Sequence, residues 1–283
     1  MNEPHNPADA LSGKANFDDI YTSPDPRAFF TRLMPLEYQI PRHAVRLFRA
    51  LLRSHPSEGH RVVDVCCSYG INAALLRYDV TLDDMFVHYA IPEAAKSSTQ
   101  DLIKRDRRFY RARLRPDAPA CVGVDIAAPA IAYATETRLL DEGFSENLEK
   151  YPPSPGLSAA VSDATLITIS GGIGYITPAT LTRLLDAAPG TVWVAATVLR
   201  SVPYEQYADS LDRYGLVTEK IPGVTVKQRR FTDDDERDST LRHLKDLGID
   251  TSGKEDEGFY HAECFVSRPK ADCAARPLER LLG

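Results

Sequence analysis

Apolar positions along the chain fall into two alternating kinds of stretch. Short continuous runs rich in β-branched residues occur at Arg61-Val-Val-Asp-Val65, Ala120-Cys-Val-Gly-Val-Asp125, Leu166-Ile-Thr-Ile-Ser170 and Thr191-Val-Trp-Val-Ala-Ala-Thr-Val198. Each predicts a strand with little polar face to show to water. The stretches between them carry helical spacing: one from Ile71 through Leu76, one opening at Pro129 and running to about Leu140, one over Pro178 to Ala187 and one over Tyr204 to Tyr214. Strands alternating with helices predict an α/β protein with a mainly parallel sheet. The tail breaks this rhythm. Leu216-Val-Thr-Glu-Lys-Ile221 and Gly258-Phe-Tyr-His-Ala-Glu-Cys-Phe-Val266, separated by a charged helical excursion at Asp233 to Leu247, predict a closing antiparallel hairpin.

The additions to this core are also legible. Residues 1–19 have no hydrophobic period and read as a mobile arm. Residues 20–55 read as a helical cap broken at Pro35 and Pro41, with Phe29, Phe30, Leu33, Leu36, Tyr38 and Ile40 clustered ahead of the amphipathic run His43 to Leu52. The α/β domain then occupies 56–283. Asp64 and Asp125 lie about sixty positions apart where a simple crossover needs roughly 20 to 30, so an insertion is expected at about 77–117. It holds a short segment, Asp83 to Pro92, and a basic helix, Ala94 to Arg113, whose charges suit a solvated face. Gly143 to Glu149 reads as a polar turn before the proline-rich loop Tyr151 to Pro155.

At 283 residues the chain suits one α/β domain with a cap better than two full domains. Its net charge of −6, with both signs mixed along its length, gives no footprint for nucleic acid or anionic membrane, and a small-molecule substrate is favoured. Five cysteines lack Cys-x-x-Cys spacing, and Met1 to Asn16 has no apolar core, so a reducing compartment, the cytoplasm, is expected, with neither signal peptide nor membrane span. The seven histidines form no His-x-His or His-x-x-x-His pair, which argues against a metal centre. Ser170-Gly-Gly lacks the flanks of a nucleophile turn, which argues against a hydrolase. The oligomeric state is not indicated.

Chemistry concentrates at the strand tips. Asp64-Val-Cys-Cys-Ser-Tyr-Gly70 joins the first strand to a helix opening at Ile71 or Asn72. The segment resembles motif I of the class I S-adenosylmethionine (SAM) dependent methyltransferases, Asp-x-Gly-x-Gly-x-Gly, with Cys66 and Ser68 in the first two glycine positions and Gly70 retained. Small side chains at those two positions allow a ligand close to the backbone, although only glycine tolerates a positive φ freely. Ala120 to Ala134 resembles motif II, and Asp125 at its strand tip is the choice for accepting both ribose hydroxyls, since a carboxylate offers two oxygens to neighbouring donors. Asp163 to Ile176, ending in a glycine cluster and Tyr175, resembles motif IV.

The resemblance implies a Rossmann-like fold of the class I SAM-dependent methyltransferase type, with a seven-stranded, mostly parallel sheet and a helical N-terminal cap. It also implies SAM as cofactor and methyl transfer to a small polar acceptor. Asp64, Cys66, Ser68, Gly70, Asn72, Asp125, Ile126, Asn147, Ser170 and Gly171 are then the candidate cofactor residues, and Tyr175, Tyr38 and Ser201 the candidate catalytic ones. A sulfonium donor demands alignment more than proton transfer, and an aromatic face near its charge would help hold it. The aromatic cap and the Ser-Gly-Gly-Ile-Gly-Tyr segment are also similar to azetidine-2-carboxylic acid synthases. That resemblance implies intramolecular attack by SAM's own amine with release of methylthioadenosine, Tyr175 holding the sulfonium and Asn147 or Ser201 fixing the amino-acid arm. A third reading is a non-catalytic binding module built on a degenerate SAM fold.

Overall fold

The computed structural model describes residues 13–281. Seven strands, β1 (Arg61–Val65), β2 (Ala120–Asp125), β3 (Glu142–Ser145), β4 (Leu166–Ser170), β5 (Trp193–Leu199), β6 (Leu216–Arg230) and β7 (Phe259–Pro269), form one sheet in the order β3-β2-β1-β4-β5-β7-β6. The first five run parallel, and β7 enters antiparallel between β5 and β6. This is a Rossmann-like α/β arrangement with a seven-stranded, mostly parallel sheet, as expected from the strand-tip motifs. Because β2 and β4 lie on opposite sides of β1, the connections leaving β1 and β4 diverge and open a crevice at the C-terminal strand ends, the usual ligand position in open α/β sheets.

The apolar runs are buried as their pattern requires. Val62, Val63, Val122, Ile167, Ile169, Val194 and Ala196 are sealed between two apolar layers, one on each face of the sheet. Helices supply those layers. In chain order they begin with the cap helices α1 (Asp18–Tyr21), α2 (Arg27–Leu33) and α3 (Ile40–Ser54), then α4 (Ile71–Arg77) after the first strand. No helix among the described residues is long and apolar enough to cross a membrane.

Several local expectations change. Pro41 starts α3 rather than breaking a helix, since proline in a first turn sacrifices no helical hydrogen bond. The basic stretch is two helices, α6 (Pro92–Lys96) and α7 (Thr99–Arg111), parted where Ser98 caps α7 by accepting the Asp101 N–H at 3.1 Å. The segment ahead of them is a full helix, α5 (Leu82–Ala90), opened by a Thr81/Asp84 capping box. The supposed polar turn at Gly143 supplies edge strand β3, which is half exposed and so carries no apolar period to read. Finally, β6 continues past Pro222-Gly223 through a register shift to Arg230, well beyond the predicted hairpin arm.

The insertion is anchored through one buried acid. Asp106 of α7 is fully buried, and its carboxylate accepts from His88 Nε2 at 2.7 Å, from Tyr133 Oη at 2.5 Å and from Tyr89 Oη. Tyr89 also stacks on Phe30 of the cap with ring centres 4.3 Å apart, so the insertion and cap share a core. Removing the acid strands three buried donors. Asp106→Ala should therefore lower unfolding free energy by about 3–5 kcal/mol, and Asp106→Asn by less, as read from urea denaturation. A loss under about 1 kcal/mol for alanine would mean that the network is not what anchors the insertion.

Candidate active site

The C-terminal ends of β1, β2 and β4 meet the cap across a cavity of about 400 Å³. Its floor is the turn after β1. Cys66, Ser68 and Gly70 all have positive φ, at 56°, 52° and 75°. The two glycine replacements therefore occupy the left-handed conformation itself, beyond the close approach that small side chains would explain. Each non-glycine residue held there costs about 1 kcal/mol or more.

The turn is held by its neighbour. Asp125 Oδ2 accepts the Ser68 N–H at 2.8 Å and Oδ1 accepts the Ala127 N–H at 2.9 Å, while the side chain still lines the cavity. Each oxygen keeps lone-pair capacity for one further donor from a ligand. Gly70 faces the other way: a Cβ there would lie 3.2 Å from Ala134 Cβ and Leu139 Cβ, so it is a turn and packing residue behind the cavity. Tyr69, from the same turn, points its hydroxyl at the Ile20 and Ser23 carbonyl oxygens, 2.7 and 2.8 Å away, which ties the turn to the cap.

Asp64 is buried beneath the floor. It accepts from Thr168 Oγ1 at 2.7 Å and from Asn72 Nδ2 at 3.0 Å, and Asn72 Nδ2 also reaches Ser170 Oγ at 2.9 Å. Burial pushes its carboxyl up to about 7 despite these hydrogen bonds. Of the remaining candidates, Cys66, Asn72, Ile126, Asn147, Ser170, Gly171, Tyr38 and Tyr175 line the cavity. Ile126 is largely exposed at its edge, and Asn147 turns Oδ1 to the Glu149 N–H at 3.0 Å. Ser201 does not line it; that residue is buried after β5 with its carbonyl 3.1 Å from His243 Nε2. Burial raises the phenols of Tyr21 and Tyr38 and the thiol of Cys66 above their ordinary ranges, so all three face the cavity protonated.

His261 lies outside the cavity on β7. It is buried, neither ring nitrogen has a partner among the described residues, and burial lowers it to about 4. Among the cavity residues that escaped the sequence reading are Lys14, Tyr21, Glu149, Gln228 and Arg229. Lys14 lies in the segment read as a mobile arm, yet its neighbour Ala15 donates its N–H to Glu236 Oε1 at 2.8 Å. Gln228 and Arg229 lie in the part of β6 that followed the Pro-Gly interruption. The available signal was the pair of polar residues flanked by Val226 and Phe231 in a stretch too charged to announce a strand.

No protein-family model and no curated protein matches the chain. Among solved structures it is similar to a TehB-like SAM-dependent methyltransferase from Corynebacterium glutamicum, with TM-score 0.41, 14% identity and coverage of 78% of this chain and 85% of that one. It is also similar to the plantazolicin methyltransferase BpumL in complex with SAH, with TM-score 0.43, 10% identity and coverage of 94% and 95%. A SAM-dependent methyltransferase from Geobacter sulfurreducens in complex with S-adenosyl-L-homocysteine gives TM-score 0.36, 14% identity and coverage of 81% and 91%. With values this low, the site's own geometry has to decide what it can hold.

Two outcomes follow from that geometry. Ser68 Oγ is buried without a partner among the described residues, so Ser68→Gly relieves both the backbone and the hydroxyl. Thermal or urea unfolding of the ligand-free variant should show a gain of about 1 kcal/mol. A loss would mean that Ser68 is not strained. For Asp64, a folded-state value near 7 against 3.8 means that the folded chain binds a proton that the unfolded chain releases. Ligand-free stability should thus fall as pH rises from about 4 to 7, by up to roughly 4 kcal/mol from this group. Asp64→Asn should flatten that slope in urea titrations across the window, and an unchanged slope would assign it to other groups.

Proposed function

We propose that the cavity binds S-adenosylmethionine and that the protein transfers its methyl group to a small polar acceptor held beneath the cap. The observation that carries this reading is Asp125. Its carboxylate is fixed at the tip of β2 by two backbone N–H groups, borders the left-handed turn, and retains one acceptor position on each oxygen, as a ribose diol requires. Ile126 beside it offers an apolar edge for a purine, and Cys66 and Ser68 leave backbone open to a close-lying amino-acid arm.

The protein's part in the chemistry is positioning. Methyl transfer needs the acceptor, the methyl carbon and the sulfur in line, and no general acid. Tyr21, Tyr38 and Tyr175 line the same cavity, and their neutral phenol rings suit a sulfonium better than carboxylates that would tether it or water that would screen it. A cavity of about 400 Å³ is near the lower end of the roughly 300–1,000 Å³ usual for ligand sites. A nucleoside donor fills most of it, which favours an acceptor of few atoms.

Calorimetric titration with S-adenosylhomocysteine should show binding that weakens about a hundredfold in Asp125→Ala, the worth of two charge-assisted hydrogen bonds. Incubation with SAM should release S-adenosylhomocysteine only when an acceptor is present. Absence of binding to the wild type at millimolar ligand would remove the reading and leave the binding-module alternative. Methylthioadenosine accumulating from SAM alone, above its spontaneous breakdown, would replace methyl transfer with cyclisation.

A further inference from the structure

The cavity end farthest from Asp125 is built by an irregularity in β6. Between the register pairs Lys227↔His261 and Arg230↔Phe259, Gln228 and Arg229 both oppose Tyr260, so two residues of one strand face one of the other. A bulge of this kind re-aims a side chain that strict alternation would send to the opposite face. Here both neighbours line the cavity. The cap closes over them by backbone pairing, Gln39 N–H to the Gln228 carbonyl at 2.8 Å and Arg230 N–H to the Leu36 carbonyl at 2.7 Å.

The two side chains have different fates. Arg229 is committed: its guanidinium grips Glu236 at 2.9 and 2.6 Å, and Glu236 further accepts from Thr232 N–H at 2.7 Å and Tyr260 Oη at 3.2 Å. Gln228 is not committed. It is 4% exposed, its Oε1 has no partner among the described residues, and its Nε2 donates to none of them. Its Nε2 lies beside Gly171, where a Cβ would come within 3.1 Å of it, and an amide N–H there can donate to a ligand oxygen. A buried amide without partners costs stability unless a ligand supplies them.

Lys14 adds a charge at the same end. Its ammonium nitrogen lies 5.3 Å from the ring centre of Tyr175 and 5.8 Å from that of Tyr260. It makes no ion pair among the described residues: Glu236 beside it is engaged by Arg229, and Asp18 lies at the exposed mouth. The segment carrying it is pinned to α12 (Asp234–Asp246) by the Ala15–Glu236 hydrogen bond and by Gly13, where a Cβ would fall 2.5 Å from Ser239 Oγ. Burial and the nearby Arg229 lower Lys14 to about 7, so an anion bound beside it would hold it protonated. A lysine without an ion pair among the described residues, lining the same cavity as an uncommitted amide, is an arrangement for an anion with hydrogen-bonding oxygens.

We infer that Lys14 and Gln228 form a carboxylate subsite at the β6 end of the cavity, with the ammonium supplying the charge and the amide a hydrogen bond. The inference rests on the SAM reading for the identity of the adjoining ligand. Two sources offer the same chemistry: the carboxylate of the donor's own amino-acid arm, or that of a small carboxylic acid serving as acceptor.

Calorimetry on the full chain separates them, using S-adenosylhomocysteine and 5′-methylthioadenosine, which shares the nucleoside and lacks the arm's carboxylate. If the donor's carboxylate binds here, Lys14→Met weakens S-adenosylhomocysteine at least about tenfold, leaves methylthioadenosine unchanged, and Lys14→Arg restores most of the loss. If the acceptor's carboxylate binds here, both nucleosides are unaffected. Wild type saturated with S-adenosylhomocysteine then binds at least one of glycine, lactate and benzoate, and Lys14→Met and Gln228→Leu lose that binding. Equal weakening of both nucleosides, or no difference in any titration between wild type and variants that unfold at wild-type urea concentrations, overturns the subsite. A wild type that binds neither nucleoside removes the SAM reading instead, and titration of the ligand-free chain with the same three carboxylates decides the subsite.

Discussion

Everything at the site depends on one carboxylate bridging two strand tips. The turn after β1 must hold Cys66 and Ser68 at positive φ, and nothing in those residue types favours that conformation. Asp125 compensates from outside the turn by accepting the Ser68 N–H while its other oxygen fixes the start of its own following helix through Ala127. A charge-assisted bond to a backbone N–H is worth roughly 1.5–3 kcal/mol, comparable with the strain it has to offset. The same atoms thus shape the floor of the cavity and face its interior, so the group that stabilises the turn is also the one offered to a ligand.

The cap is tied to that turn at several independent points. Tyr69 reaches back to the Ile20 and Ser23 carbonyl groups, the Leu36–Gln39 loop pairs with the end of β6, and Arg27 holds Asp25 at 2.7 Å while donating to the Ser97 carbonyl of the insertion at 2.9 Å. Cap and sheet therefore enclose the cavity together, and the insertion braces the cap from outside it. Enclosure excludes water, which strengthens each charge–charge and cation–π interaction inside, and accounts for the direction in which Asp64, Tyr38 and Cys66 shift.

Much of the parallel core could be read directly from the chain. The strands β1, β2, β4 and β5 announced themselves because they are buried on both faces, which forces continuous apolar runs whatever their neighbours are. Asp125 and the turn before Gly70 were legible for a related reason: strand tips and tight turns constrain residue type locally. The sequence also pointed to a cap and an insertion, since aromatic clusters and an excess of chain between two strand tips need no tertiary information to notice.

Long-range placement decided the rest. Edge strand β3 has four residues, of which only Phe144 is large and apolar, so it shows no period, and only its pairing with β2 makes it a strand. The positive φ at Cys66 and Ser68 is accompanied by bonds from their N–H groups to Val124 and Asp125, about sixty positions away, which no local rule contains. Lys14, Gln228 and Arg229 reach the cavity because an arm docks on α12 and a bulge redirects β6, both set by partners distant in sequence. Ser201, plausible at a strand end, faces elsewhere for the same reason. Residue types and their local period determined which elements this chain forms and where its principal acid stands, because burial and turn geometry act on neighbours in sequence. The composition of the far end of the cavity was left to the tertiary structure, because hydrogen bonds and charge placement there act between segments that only folding brings together.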